Sequence, residues 1–411
     1  MESGKGGALQ GVRVLEVAGQ MTGYCGKLLA ELGAEVVLVE APEENFARRQ
    51  PPFIDGRRDA DASLSFAYYN TSKKSITLDL DQPEGCQMLR DLVADYHILI
   101  EGEPPGALAS KGLDYKILQA LTPSLVMTSL TAFGQTGPYA NFAFSDLTLL
   151  ALGGMLYLAG YPDTPPMGAY GNQAINAAGM YGAVGTLIAL RAVRNGQPGR
   201  HVDVSAQECV ALGMENAVQM FELEGVIRKR FAGTQRQAGT SVFASSDGYV
   251  LLMAAGLASN QFWLNTVKWL ISEGVPRAEE LGGEKWLNVE YLQTEDAKRE
   301  FLDIFGPFAQ ARTSEYLYEK GQQFRVPICP VCSPRDVVSN AQLRSRNYFV
   351  DVPSAPAGRD LKMPGPPYRL QATPWRIQGA APSLGEHNIE IYSRAGVAAS
   401  RLAALASAGV L

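Results

Sequence analysis

The sequence predicts an α/β chain, with a Rossmann-like, doubly wound parallel sheet followed by a smaller α+β domain. Two observations carry this. In the N-terminal half, short apolar runs alternate with helical segments in a β-α-β order, which a mostly parallel sheet requires. Beyond about residue 225 the texture changes to a hairpin signal, Asp247-Gly248 between two apolar runs, followed by helices rich in Trp and Phe. With 411 residues there is enough chain for two domains and a sizeable core. The divisions read 1–224 for the large domain, 225–325 for the small domain, and 326–411 for a Pro-rich linker and return to the large domain.

In order, VRVLEV (12–17) reads as a buried strand, a helix runs from about Tyr24 to Leu32, and EVVLVE (35–40) is the next strand. SITLDL (75–80) is a strand, followed by a helix with Asp81 as cap and Pro83 in its first turn. HILIEG, the helix LDYKILQAL and the strand SLVMTSL complete a third unit. GNQAINAAGMYGAVGTLIAL (171–190) opens a long small-residue helix ending near Arg194. HVDVSA is a strand and QECVALGMENAVQMFEL a helix. SVFASSDGYVLLMAA is the hairpin, and QFWLNTVKWLI and AKREFLDIFGPFAQ are the aromatic helices of the small domain.

Hydrophobic residues at 46% and charged residues at 19% describe an ordinary globular protein. A net charge of −6 argues against a nucleic-acid surface, and Arg228-Lys229-Arg230 reads as a solvated helix face or a local anion contact. MESGKGGALQGV lacks an apolar h-region, so no signal peptide is expected. The five cysteines suggest free thiols in a reducing cytoplasm. The long helix is too short in its uncharged run to span a membrane, which takes about 20 residues.

Several chemical motifs fail on spacing. Gly19, Gly23 and Gly26 with Glu40 imitate a dinucleotide fingerprint, but the spacing is G-x-x-x-G-x-x-G. A tight βα turn explains them. Cys329 and Cys332 form a C-x-x-C pair in a Pro-bounded strand, which reads as small core residues. His97, His201 and His387 are far apart and suggest neither a metal site nor an acid–base dyad. One absence is conspicuous: no Asp or Glu occurs from Thr164 to Val202 in a chain with 42 of them.

The stretches LLAELGAEVVLVE, NTSKKSITLDLDQPEG, PPGALASKGLDY, AFGQTGPYA, GQPGRHVDVSAQE, SSDGYVLLMAA, VPICPV and LGEH occur in one order over residues 10–390. Together they resemble the family III CoA-transferases, which include formyl-CoA transferase, carnitine CoA-transferase and α-methylacyl-CoA racemase. The resemblance implies two ring-shaped chains interlocked like links, CoA thioesters as substrates, and no permanently bound cofactor or metal. It also implies an Asp nucleophile that attacks an acyl-CoA thioester to give a mixed anhydride. The released thiolate then gives an aspartyl-CoA thioester, which the acceptor acid attacks. Backbone N–H groups would hold the developing oxyanion.

The resemblance places that Asp a few residues before the glycine that opens the long helix. Matching this glycine to Gly179 puts Ile175 at the nucleophile's position. Asp146 matches a different family acid, expected to be structural, and Ser145 stands where the racemase branch has His. The family's Arg after P-G-A-L is replaced by Ala109-Ser110-Lys111, leaving Lys111 displaced by one position. Gln20, Asn70, Lys73 and Lys74 occupy positions where the family meets CoA, and a Gly-rich flap is thinned to AGTQRQAGT around Gly233 and Gly239. These departures imply a vestigial CoA site in a non-catalytic subunit, with the Asp supplied by a paralogous chain in a heterodimer or heterotetramer. The arrangement is similar to a two-subunit family member that moves CoA from succinyl-CoA to an aryl-succinate in aromatic hydrocarbon catabolism. Alternatives are an active transferase, lyase or isomerase using another carboxylate such as Asp146 or Glu101, or an acyl-CoA-binding scaffold. Neither nucleic acid nor membrane is an expected partner.

Overall fold

The computed structural model describes residues 6–43, 46–255 and 260–411. The first five residues, part of the segment read above for a leader, lie outside them. The chain divides into a large unit (1–155, 169–215 and 341–411) and a small unit (156–168 and 216–340).

Six parallel strands form the large unit's sheet: β1 (Arg13–Val17), β2 (Glu35–Glu40), β3 (Lys74–Thr77), β4 (Ile98–Glu101), β5 (Val126–Thr131) and β6 (His201–Ser205), in the order β3-β2-β1-β4-β5-β6. Val/Ile/Leu-rich strands such as β2 are buried on both faces, because helices cover a parallel sheet twice. The helices are α1 (Gly23–Glu31), α2 (Leu64–Tyr69), α3 (Pro83–Val93), α4 (Ala107–Ser110), α5 (Tyr115–Leu121), α6 (Asp146–Leu152), α7 (Met155–Leu158), α8 (Gln173–Arg194) and α9 (Ala206–Leu212). The glycines of α8 permit close packing. A Cβ on Gly179 would lie 2.8 Å from Tyr24 Cβ of α1, and one on Gly182 2.8 Å from Leu130 of β5.

Three expectations shift here. The strand expected over 75–80 ends at Thr77; the Leu78 N–H still donates to Glu40 O of β2 at 2.7 Å, and the chain turns at Leu80–Asp81. Gln82, not Asp81, stands at the α3 N-cap, because Asp79 Oδ1 accepts the Asp81 N–H at 2.8 Å and folds the chain into a local turn. The helix expected over 207–223 breaks at Gly213–Asn216, where Glu215 adopts φ 50° and the chain passes from the large unit into the small one.

In the small unit, α10 (Ala217–Glu224) ends on Gly225, and Arg228–Arg230 follow as loop rather than helix. Arg230 donates to the carbonyls of Tyr161 (2.8 Å) and Thr164 (2.9 Å), tying down the segment 156–168. Strands β7 (Thr240–Ala244) and β8 (Tyr249–Met253) form the expected hairpin. α11 (Gln261–Ser272), α12 (Val289–Leu292), α13 (Glu295–Gln310) and α14 (Ser314–Gln323) pack an aromatic core around Trp263, Trp269, Trp286 and Phe301. The boundary expected at 326 moves to 340, because β9 (Ile328–Pro330) pairs antiparallel with β8. Alternation along β9 buries Ile328 and turns Cys329 outward beside exposed Leu251. Cys329 and Cys332 are both exposed, so their reading as core residues is corrected.

After α15 (Pro334–Ser339) and α16 (Ala341–Ser345), the hairpin β10 (Phe349–Val352)–β11 (Leu361–Pro364) and helices α17 (Asn388–Arg394) and α18 (Ala399–Ser407) belong to the large unit. The segment around α17 covers the open edge of β3. The Thr77 N–H donates to Asn388 Oδ1 (2.8 Å), the Tyr392 hydroxyl to Thr77 O (2.7 Å), and the Asp79 N–H to Val410 O (2.8 Å). No helix among the described residues is long and apolar enough to cross a membrane.

Candidate functional site

The strand order reverses between β1 and β4, and open parallel sheets take ligands in the crevice beyond the carboxyl ends of the strands at such a point. A cleft of about 760 Å³ lies there, walled by the turns after β1, β3 and β4. Gln20, Leu78–Asp81, Gly102–Pro105 and Lys111 line it. Behind Gly19, Gln20 and Phe46, which line both spaces, sits a cavity of about 70 Å³. Its walls include Glu16, Tyr69, Asn70, Asn172 and Ile175.

Ile175 is the third residue of α8 and is 4% exposed. Its N–H donates to Asp146 Oδ1 at 3.0 Å. An acidic side chain near a helix N-terminus is favoured by the unpaired N–H groups and the helix dipole. Asp146 itself is held at the head of α6, where Ser145 and Thr148 form a capping box. Beside them the Tyr69 hydroxyl donates to Asn176 Oδ1 at 2.8 Å. The head of α8 therefore offers amides and an isoleucine side chain to the cavity.

The carboxylate that does line this cavity is Glu16, at the end of β1. It is fully buried, and its partner Lys73 lies 2.6 Å away with a side chain equally inaccessible. Lys73 also donates to Asn70 Oδ1 (2.9 Å) and Gly23 O (3.0 Å). Burial pushes the Glu16 carboxyl above its ordinary range, and Lys73 opposes that shift. A Cβ on Gly26 would fall 1.7 Å from Glu16 Oε2, so this glycine makes room for the pair. Glu40 is likewise consumed. Arg48 Nε lies 2.8 Å from it and the Ser75 hydroxyl 2.5 Å, both buried, which leaves it with internal partners instead of a ribose.

The five residues singled out by sequence thus fall in different places. Gln20 faces both the cleft and the cavity, Asn70 the cavity, and Lys111 the cleft, where its ammonium lies 2.6 Å from Asp81. Lys73 is interior. Lys74 pairs with Glu35 (3.1 Å) and with Glu390 of α17. Glu101 is buried at the end of β4, accepts the Glu103 N–H (2.8 Å), and is pushed up to about 7 by burial. In register with it, the Ser129 hydroxyl lies 2.8 Å from His201 Nε2. Among the described residues no group of three or more His, Cys, Asp or Glu side chains is placed to hold a metal ion.

Sequence reasoning missed Glu16, Tyr69 and the acidic wall of the cleft. An acid near the end of the mostly apolar run VRVLEV was the available signal for Glu16. The cleft wall depends on where β3 stops, which the run SITLDL does not disclose.

The sequence model of CoA-transferase family III matches residues 9–388. The chain belongs to CoA-transferase family III. It is 36% identical over 385 residues to the subunit BbsE of succinyl-CoA:(R)-benzylsuccinate CoA-transferase from Thauera aromatica, covering 93% of each chain. It is 30% identical to the alpha subunit of succinyl-CoA–L-malate CoA-transferase from Chloroflexus aurantiacus, covering 93% of this chain and 87% of that one. A CaiB/BaiF family protein of known structure from Brucella suis superposes with a TM-score of 0.80 at 27% identity, over 95% of this chain and all of the other. Family membership makes CoA thioesters the substrates of the activity in which the chain takes part.

Proposed function

We propose that this chain is the non-catalytic subunit of a cytoplasmic heteromeric CoA-transferase. A paralogous subunit supplies the nucleophilic Asp, in an interlocked heterodimer or heterotetramer. CoA moves from a donor such as succinyl-CoA to a carboxylic acid such as an aryl-succinate. The observation that carries this reading is the head of α8, where Ile175 meets a cavity whose lining carboxylate, Glu16, is ion-paired through Oε2 with Lys73. A cavity of about 70 Å³ is also far below the ~300 Å³ at which small-molecule pockets begin. Asp146, the other nearby acid, is engaged with the Ile175 N–H.

Two further observations support a partner. Two of the relatives named above are themselves subunits. In addition Met180, Val184 and Ile188, spaced four apart, form an exposed apolar row along α8. A row of that kind suits burial against another chain.

Co-expression with an Asp-containing paralogue tests the reading. The purified chain alone should neither move CoA between acids nor form a hydroxylamine-sensitive adduct, whereas the complex should do both. Turnover by the chain alone would favour a relocated carboxylate and end the proposal. A stable homodimer that ignores the paralogue and binds acyl-CoA would favour a scaffold.

A further inference from the structure

We propose that Asp81 disables the cleft of this chain as a CoA site, so that the subunit discriminates against ligands bearing phosphate. The inference rests on the non-catalytic reading and deepens it. CoA carries a 3′-phosphate and a pyrophosphate, and proteins grip such groups with Lys and Arg side chains and with free N–H groups. The charged side chains on the cleft wall are Asp79, Asp81, Glu103 and Lys111, three acids against one base. No arginine lines the cleft among the described residues.

The one base is not free. Lys111 Nζ lies 2.6 Å from Asp81 Oδ1. The nearby Arg90 is turned aside, with its guanidinium on Gln87 Oε1 and on the carbonyls of Lys111 and Gly112. Asp79 is fixed in the turn before α3, accepting from the Asp81 N–H and from Gln82 Nε2 (2.9 Å). Glu103 follows β4 on the opposite wall. A phosphate entering here meets a surplus of carboxylates, and each like charge at a few ångströms in a solvent-filled cleft weakens binding about five- to tenfold.

Among these groups Asp81 is decisive, because it both repels an anion and occupies the one ammonium that lines the cleft among the described residues. Its side chain is 86% exposed, so exchanging it requires no repacking. The consequence for an assembled enzyme is one CoA per pair of chains, held by the partner.

Equilibrium dialysis of the purified full chain against CoA and dephospho-CoA, at low and moderate salt, tests this. The wild-type chain should bind CoA no more tightly than dephospho-CoA, or bind neither at millimolar concentration. Asp81→Lys should acquire a preference for CoA of about tenfold, lost as salt rises. Glu103→Gln should gain about fivefold in CoA affinity with Asp81 in place. A wild-type preference for CoA of tenfold or more, or an Asp81→Lys chain whose preference is unchanged, would overturn the inference. Either result without turnover leaves the non-catalytic reading standing, while turnover by the chain alone ends that reading whatever the binding ratio.

Discussion

The two units of this chain are held together in different ways. The small unit's core is aromatic and neutral. Trp263 and Trp286 stack at 5.0 Å, Phe243, Phe301 and Phe305 pack in succession, and the indole N–H groups of Trp263 and Trp286 donate to the carbonyls of Leu281 and Glu280. The large unit combines an aliphatic sheet core with buried charge. Glu16, Lys27, Glu31, Glu40, Arg48, Lys73 and Glu101 are all buried there, and among the described residues the small unit buries none of these types. Buried ion pairs are poor stabilisers next to well-packed apolar groups. Three of the large unit's buried acids, Glu16, Glu40 and Glu101, lie at the carboxyl ends of β1, β2 and β4, the side of the sheet on which the cleft opens.

Perturbations should separate the two regimes. The largest effect belongs to the aromatic core: Trp263→Ala should cost about 3–5 kcal/mol in urea unfolding, with no dependence on pH between 5 and 8. Next, Lys73→Met leaves Glu16 buried without its cation and should cost about 3 kcal/mol at pH 8. That cost should shrink as the pH falls, because burial already raises the Glu16 carboxyl and a protonated Glu16 needs no cation. The double variant Glu16→Gln/Lys73→Met should recover most of the loss, and a double variant no better than the single would contradict the comparison.

Glu101→Gln should have a smaller effect of the opposite sign. The Glu101 carboxyl is held near 7 in the folded chain and lies near 4.5 when unfolded. The stability it contributes is therefore complete below about pH 4.5 and lost as pH rises through about 7. The glutamine variant should be more stable than wild type by about 1–2 kcal/mol at pH 8 and unchanged near pH 4, measured by chemical denaturation. Last, Ile175→Asp should yield no CoA transfer by the chain alone. The new carboxylate would stand beside Asp146, in a cavity too small for an acyl group and behind a cleft whose one lining ammonium among the described residues, Lys111, is paired with Asp81. Activity from that single change would show that the site had lost only its nucleophile.

Most of the architecture was legible from periodicity. The strand EVVLVE matches β2, the long small-residue helix ends at Arg194 as expected, and the Asp247-Gly248 turn joins β7 to β8. Continuous apolar runs and turn chemistry are local, so sequence exposes them. What was not legible depends on tertiary competition. Asp79 drew the chain out of β3 and displaced the α3 cap, Glu215 and its neighbours broke a helix of unbroken apolar pattern, and Cys329 faces outward because a three-residue edge strand alternates. At the site, the acid-free stretch from 164 to 202 is plain in the sequence, and the family resemblance puts Ile175 at the nucleophile's position, but Glu16 could not be paired with Lys73, because they lie 57 positions apart and only the fold brings them to 2.6 Å.

The covered edge of β3 sets an order of events during synthesis. The outermost strand of the large unit's sheet finds the hydrogen-bonding partners of its open edge in residues 387 to 392, made more than 300 positions later. Until those residues leave the ribosome, β3 presents an open row of N–H and C=O groups, and the wall carrying Asp79 and Asp81 lacks its anchor at Val410. The large unit can therefore be completed only after the whole small unit, with its self-contained aromatic core, has already emerged.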